Sequence, residues 1–335
     1  MLSQNIKAKA EQLGFAGCGI IPSEVFEEYT TYLNKRMETF PDSKAYYEGY
    51  AEHSTPPEKG KSIIVATQGS NNYRTPDGMD GLFGKMYLFD GRISYSDEHR
   101  AADEFETYLK TLGLNIIDGE LPDRWAGVKA GLGKFGRNNF FYDPEHGSNV
   151  VVLTWIVDKV LDYDEPNDDL LLSSCNDNCH LCIDACPTNA LSDMLCMDIK
   201  RCITRVQFDG DYALSDEVRG DMGMWIYGCD ACQDVCPVNF SKSAKTLDFP
   251  LNETFKDMVT PEAIMEMDET TYKTVINPRF WYAGEDFLWL WKCNALRSMV
   301  NSGDSKYHAI IKQSCKNPDE RISEMASWGC KKLGL

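Results

Sequence analysis

The sequence has no run of about 18 apolar residues, so a membrane-spanning helix is not expected. Its opening residues, Met1 to Gly14, have neither the basic start nor the apolar stretch of a secretory signal, and they carry no twin arginine. A cytoplasmic location is expected. Histidine is scarce: five residues lie scattered, and no pair of them suggests a mononuclear metal site. Basic residues are also few. Against 52 Asp and Glu stand 34 Lys and Arg, a net charge of −18, which argues against indiscriminate nucleic-acid binding. The deficit is uneven. Phe287 to Leu335 holds eight Lys or Arg and four Asp or Glu, a net of +4, leaving −22 for the remainder. This basic tail is either a local anion-binding surface or a solvated helical face.

Cysteine is abundant. Nine of thirteen fall between Cys175 and Cys236. In a chain of 335 residues without a secretory signal, such a concentration points to metal ligands rather than disulfides. The pattern is Cys175-x3-Cys179-x2-Cys182-x3-Cys186-Pro187, then Cys202, then Cys229-x2-Cys232-x3-Cys236-Pro237. Closely spaced thiolates wrap one cubane, and the cysteine before proline turns away to ligate the other. One [4Fe–4S] cluster is therefore expected on Cys175, Cys179, Cys182 and Cys236. The other is expected on Cys186, Cys202, Cys229 and Cys232. Zinc is the rival for any four cysteines, but two reciprocal motifs disfavour it. Cys175 departs by one residue from the usual spacing, and Cys196 competes with Cys202. The remaining Cys18, Cys293, Cys315 and Cys330 read as small buried apolar residues. His180, inside the first cluster loop, is placed to hydrogen-bond a sulfur.

Three regions follow. Residues 1–165 read as a mixed α/β domain. Ser3 is a candidate cap for a helix ending at Gly14, and Ser96 for one ending at Gly113. Strands are expected at Lys61–Gln68, Asn115–Asp118 and Val150–Val157. Residues 166–245 read as a ferredoxin-like double-cluster domain. Residues 246–335 read as an all-α, HEAT-like segment, with Asn317-Pro318-Asp319 starting its last helix. Two clusters need only the middle region. The preceding 165 residues therefore call for a second cofactor or a substrate.

The run Trp125 to Asn138, WAGVKAGLGKFGRN, resembles the AGLG-x-x-GKN loop of the epoxyqueuosine reductases, corrinoid-dependent iron–sulfur enzymes. The similarity continues through Gly147-Ser148, the first cysteine motif, Arg201-Cys202-Ile203 and Tyr227 to Asn239. Asn294 to Arg297 is similar to the start of the family's HEAT-like tail, and weaker likeness reaches Leu13-Gly-Phe15 and Gly91-Arg92. The resemblance implies a cobalamin over the α/β domain and electrons passing from an external flavodoxin- or ferredoxin-type donor through both clusters to form Co(I). It implies reduction of epoxyqueuosine in tRNA to queuosine, or of a related small molecule. Gly131, Gly133, Gly136, Asn138 and Ser148 are the implied corrinoid contacts. Asp118 is the implied general acid; a carboxyl ending an apolar strand is partly desolvated, which raises its pKa. A turn cap before Gly119 is the competing role. Lys134 and Val238 depart from the family pattern, which usually has an aromatic and a Trp there, and suggest a divergent member. The basic tail is the implied tRNA contact. Reductive dehalogenases share the cofactors but commonly carry a twin-arginine signal. The other function considered is an electron carrier for a partner protein, docked through the acidic surface.

Overall fold

The strand Ser62–Gly69 (β2) is buried along almost its whole length, as a run containing Ile63, Ile64 and Val65 requires when both sheet faces are covered. Period-two alternation sends Ile63 and Val65 to one face and Ile64 and Ala66 to the other. The computed structural model describes residues 1–335 except 71–72, 91, 94–95, 168, 210–213, 241–246 and 251. Gly91 of the Gly91-Arg92 resemblance and the expected boundary at 245/246 thus lie outside the described residues.

β2 belongs to a four-stranded sheet with Gly17–Pro22 (β1), Ile116–Ile117 (β3) and Val150–Val157 (β6), in the order β1-β2-β6-β3. Every pairing is antiparallel. Helices Leu2–Gln12 and Asp97–Thr111 cover one face through Ile6, Ala10, Phe105 and Leu109. Helices Glu27–Thr39 and Asp123–Lys129 cover the other through Tyr29, Leu33, Trp125 and Val128. The α/β expectation and three of the strands are thus found. β1 is an addition to them, because glycine and proline weaken its strand signature. Gly19 has a steric reason: a Cβ there would come within 2.9 Å of Ala130 Cβ.

Two caps read from the sequence differ in outcome. Ser96 caps its helix, accepting from His99 N at 3.0 Å. Ser3 does not: it lies inside the first helix, and its hydroxyl accepts from Asp162 N at 2.9 Å, tying the helix to the chain leaving β6. Pro318 likewise precedes the cap, which is Asp319.

After the helix Asp123–Lys129 the chain turns at Gly131 (φ +72°) into a hairpin of Lys134–Phe135 (β4) and Phe141–Tyr142 (β5). Asn139 occupies the left-handed region at φ +66° in its turn, a conformation that Asn tolerates better than most residues. Phe135 N donates to Leu170 O at 2.7 Å and Leu172 N to Phe135 O at 3.0 Å, so the hairpin steers the chain that leads into the first cysteine motif.

Residues 73–93, read with the N-terminal domain, join another core. Tyr73, Phe83 and Phe89 pack with Phe208, Tyr227 and the helical region that includes Phe280 and Trp291. The helix Leu288–Ser302 is buried almost all round and stops at Gly303 (φ +66°). The basic tail is not one cationic face. Arg297 is fully buried and donates to Asn294 and the Trp225 carbonyl. Lys306, Arg321 and Lys331 face Glu262, Asp319 and Asp216. At least half of the tail's eight basic residues are thus engaged within the protein, which leaves fewer for the expected tRNA contact.

The hairpin is tight. A Cβ at Gly133 would lie 2.4 Å from both Phe141 Cζ and the Tyr142 carbonyl oxygen. Overpacking of this kind costs about 1–3 kcal/mol. Gly133→Ala is expected to lower the denaturation midpoint accordingly; an unchanged midpoint would show that the hairpin yields without cost.

Candidate iron–sulfur centre and adjoining cavity

Each cysteine motif enters a short helix, Leu181–Asp184 or Ala231–Asp234, which gathers its thiols within a few residues. The electrostatic neighbours sort them. Around Cys182 lie Cys175, Cys179 and Cys236, and burial together with these thiols pushes its pKa up to about 11. Around Cys232 lie Cys202, Cys229 and Cys186, with Cys182 a weaker neighbour; burial dominates and raises this thiol as well. Cys229 is raised by burial beside Cys202 and Cys186. Each proline-preceding cysteine, Cys186 or Cys236, thus lies among the thiols of the opposite motif. Cys202 stands with the second set, whereas Cys196 is buried in the strand Cys196–Met197.

Backbone donors point at several sulfurs. Arg137 N reaches Cys175 Sγ at 3.4 Å, and Ala190 N reaches Cys186 Sγ at 3.2 Å. The amides of Thr204 and Arg205 face Cys202. N–H groups favour thiolate over thiol and tune a bound cluster's potential. The one-residue-longer spacing at Cys175 is accommodated because the β4 pairing and Arg137 bring this loop back to the sulfur set. His180 instead turns its Nε2 to the Asp177 carbonyl at 2.8 Å. Among the described residues no three His, Cys, Asp or Glu side chains converge as ligands of a single ion.

A cavity of ≈ 520 Å3 lies against the second set. Cys186, Cys202, Cys229 and Cys232 all line it, and Cys175, Cys179, Cys182 and Cys236 do not. Tyr29, Tyr46, Tyr47, Tyr50, Tyr87 and Tyr282 contribute its aromatic walls. Arg36, Arg92, Arg124 and Arg205 line it with a single carboxylate, Asp123. Burial raises the Asp123 pKa, opposed by a hydrogen bond from Thr154 and by the charges of Arg92 and Arg124; the Thr154 hydroxyl donates at 2.7 Å.

The implied contacts fare differently. Gly131, Gly133 and Gly136 do not line the cavity. Gly131 serves a left-handed turn, and Gly133 and Gly136 make room for Phe141 and Tyr142. Asn138 lines the cavity, but its amide donates to Tyr142 Oη at 2.9 Å and Cys232 O at 3.0 Å, and its Oδ1 accepts from Phe140 N at 3.3 Å. Ser148 donates to Gln233 Oε1 at 2.9 Å and accepts from Asn239 Nδ2 at 3.0 Å. Both residues dock the second cysteine loop onto the hairpin and sheet rather than offering free donors. Asp118 is exposed, follows the two-residue edge strand β3 and does not line the cavity. The desolvation expected of it is absent, since so short an edge strand covers nothing beyond its end. Sequence reasoning missed Arg36, Asp123, Arg124, Asn139 and the tyrosines. A signal existed: five of the sixteen tyrosines fall between Tyr29 and Tyr50.

Cys232→Ala removes one of the four half-buried thiols that line the cavity. It is expected to halve the iron content, from about eight to about four per chain, and to leave the first set filled. Iron that stayed at the full value would remove Cys232 from the ligand set.

Comparison with known proteins agrees with this geometry. Residues 174–239 match the family model of the 4Fe–4S double cluster binding domain. An epoxyqueuosine reductase of Cyclobacterium marinum is 30% identical over 260 residues, covering 72% of this chain and 81% of that protein. One of Bacillus anthracis is 36% identical over 300 residues, covering 85% and 73%. A crystal structure of an epoxyqueuosine reductase with an epoxyqueuosine-modified tRNA-Tyr stem loop has the same fold, with TM-score 0.77 at 24% identity over 100% of this chain and 90% of that one. A Bacillus subtilis epoxyqueuosine reductase, solved with its aspartate-bearing catalytic loop swung out of the active site, gives TM-score 0.77 at 23% identity, covering 99% and 90%. With its sulfur sets, cavity and fold in agreement, this chain belongs to the epoxyqueuosine reductase family.

Proposed function

We propose that this protein is a cobalamin-dependent iron–sulfur reductase that reduces epoxyqueuosine in tRNA to queuosine, or a related substrate in the same cavity. The observation that carries the reading is the wall made by the four sulfurs of the second set. An electron carrier needs no enclosed cavity at its inner cluster; a reductase does. Cys175, Cys179, Cys182 and Cys236 would hold the outer [4Fe–4S] cluster, and Cys186, Cys202, Cys229 and Cys232 the inner one. Electrons from a flavodoxin- or ferredoxin-type donor would enter at the first set, whose loop residues Asn176, Asp177 and Asn178 are exposed.

The cavity suits a corrinoid. It is broad, tyrosine-walled and within the size range of ligand pockets, and the buried amide nitrogen of Asn139, a lining residue, makes no hydrogen bond. When bound, the corrinoid supplies a strongly reducing metal centre. The chain's residues do the rest. The tyrosines and Trp125 exclude water. Asn138 and Ser148 hold the second cysteine loop rigid against the sheet, fixing the wall from which electrons arrive. The C-terminal helices would act as a HEAT-like buttress behind that loop.

Asp118 remains the proposed proton donor, carried on an exposed loop. Residues 118–120 are exposed and run directly into Leu121 and Pro122, which line the cavity. Glu120 is pinned by His53 Nε2 at 2.8 Å, and Asp123 anchors the far end of the segment through Thr154. Release of the Glu120 pin would let the segment swing toward the cavity. This reading is supported by the Bacillus subtilis relative, whose catalytic aspartate loop also occurs swung out.

Two measurements test the proposal. Protein with reconstituted clusters, titrated anaerobically with cobalamin, is expected to bind one corrinoid per chain by its optical spectrum; absence of binding would favour a carrier. Asp118→Asn is then expected to keep both clusters and the corrinoid but slow reduction of hypomodified tRNA by about a hundredfold or more. Full activity in that variant, with loss in Asp123→Asn, would transfer the proton to Asp123.

A further inference from the structure

Of the four arginines that line the cavity, two have an acid. Arg92 forks onto Asp90, with Nε to Oδ1 and Nη2 to Oδ2 both at 2.9 Å. Arg205 pairs with Asp209. Arg36 and Arg124 differ. Arg36 Nε donates to the Leu195 carbonyl at 2.8 Å, and its Nη2 donates to Asn139 Oδ1 at 3.1 Å. Arg124 Nη1 donates to the Asn139 carbonyl at 2.7 Å. Among the described residues neither guanidinium is in an ion pair, in a chain that carries 18 more acids than bases. Carbonyl oxygens and the Tyr47 ring, 5.6 Å from the Arg36 guanidinium, satisfy hydrogen-bond geometry without neutralising charge. The carboxyl nearest in sequence, Asp123, gives its Oδ1 to Thr154 instead.

The third member of the group is Asn139, at 7% exposure. Its Oδ1 and carbonyl are the acceptors for the two arginines, so its Nδ2 is directed away from them as a donor, and that nitrogen is buried without a hydrogen bond. All three residues line the cavity. Two like charges drawn to one residue repel each other, and the cavity holds four guanidiniums but one carboxylate, Asp123, which is engaged by Thr154. The arrangement is favourable once an oxyanion joins it, because guanidinium forks match the paired oxygens of carboxylate and phosphate.

We propose that Arg36, Arg124 and Asn139 form an anion-receiving subsite in the cavity wall that takes one carboxylate or phosphate group of a bound small molecule. The proposal rests on the reading of the cavity as a ligand site, but not on the ligand being a corrinoid. The oxyanion has two possible sources: a phosphodiester on the cofactor's nucleotide tail, or an acidic group of the substrate.

The test uses the full chain with both clusters reconstituted. Inorganic phosphate is titrated at constant ionic strength against chloride, followed by calorimetry and melting temperature. Cobalamin and cobinamide, which lacks the nucleotide phosphate, are titrated in parallel. Phosphate is expected to bind the wild type and raise its melting temperature. Arg36→Gln is expected to weaken phosphate at least tenfold with iron content unchanged. Asn139→Asp places a carboxylate between the guanidiniums; it is expected to raise the melting temperature of the ligand-free protein and abolish phosphate binding, so the proposal stays testable should Arg36→Gln fail to fold. If the cofactor supplies the anion, phosphate competes with cobalamin but not cobinamide. If the substrate supplies it, phosphate binds equally well to the cobalamin-loaded protein. Phosphate binding without any corrinoid binding would leave the subsite standing and sink the cofactor reading. Failure of phosphate to bind the wild type, or equal binding to Asn139→Asp, overturns the subsite.

Discussion

Eight thiols must be held together before any metal arrives, although proximity and burial both oppose their ionisation. Burial is the main reason that Cys182, Cys202, Cys229 and Cys232 resist losing their protons. Metal ligation demands the thiolate, so cluster assembly has to offset this penalty, and cluster binding and folding become coupled. The rest of the molecule is arranged to keep the penalty small. The β4–β5 hairpin guides the first cysteine loop through Phe135 and grips the second through the Asn138 amide on the Cys232 carbonyl. Asp230, almost fully buried, accepts from Lys85 N at 2.7 Å, so the segment 83–88 fixes the second loop from the opposite side. Once both loops are fixed, the position of the cavity wall follows.

The same frame explains why an acidic chain has a cationic interior. Exposed acids keep the surface negative, where charge is screened within about 10 Å at ordinary salt. Inside the cavity, arginines act in a low-dielectric setting where each charge counts for more. An anionic group therefore meets repulsion at the surface and attraction at the site. Under the proposed function this arrangement would favour a compact anion over indiscriminate binding of nucleic acid.

Legibility from sequence follows the range of the interactions. Cluster ligands are local: spacing and the following proline suggest which loop each thiol serves, and the thiols lie in two neighbouring groups. β2 and β6 are legible because their apolar runs are unbroken. β1 is not, since Gly17, Gly19 and Pro22 weaken its strand signature, and the two glycines are there for close approach of Leu132 and Ala130. The glycine loop misleads for a related reason. Glycine is equally consistent with a ligand's approach and with a neighbour's ring, and only the fold shows that Phe141 and Tyr142 occupy that space. Asn138 and Ser148 do matter, but their partners lie 94 and 85 residues away. Whether such an amide or hydroxyl is free cannot be decided locally. Asp118 shows the converse: a strand reduced to two edge residues gives no shelter to the carboxyl that follows it.

The two sulfur sets differ in surroundings, and under the proposed function the difference would give electron flow a direction. The first set sits under a loop whose Asn176, Asp177 and Asn178 are exposed, with Leu181 48% exposed beside it. A donor can approach there, and solvent exposure is among the factors that set a cluster's potential. The second set faces tyrosines, arginines and the cavity. Under that proposal the arginine charges would stabilise the reduced, more negative form of a bound cluster and favour transfer inward. Those arginines cannot be exchanged for neutral residues without altering both what the cavity binds and how readily electrons reach it. On that reading, ligand selection and electron delivery would be tied to one set of charges lining the cavity.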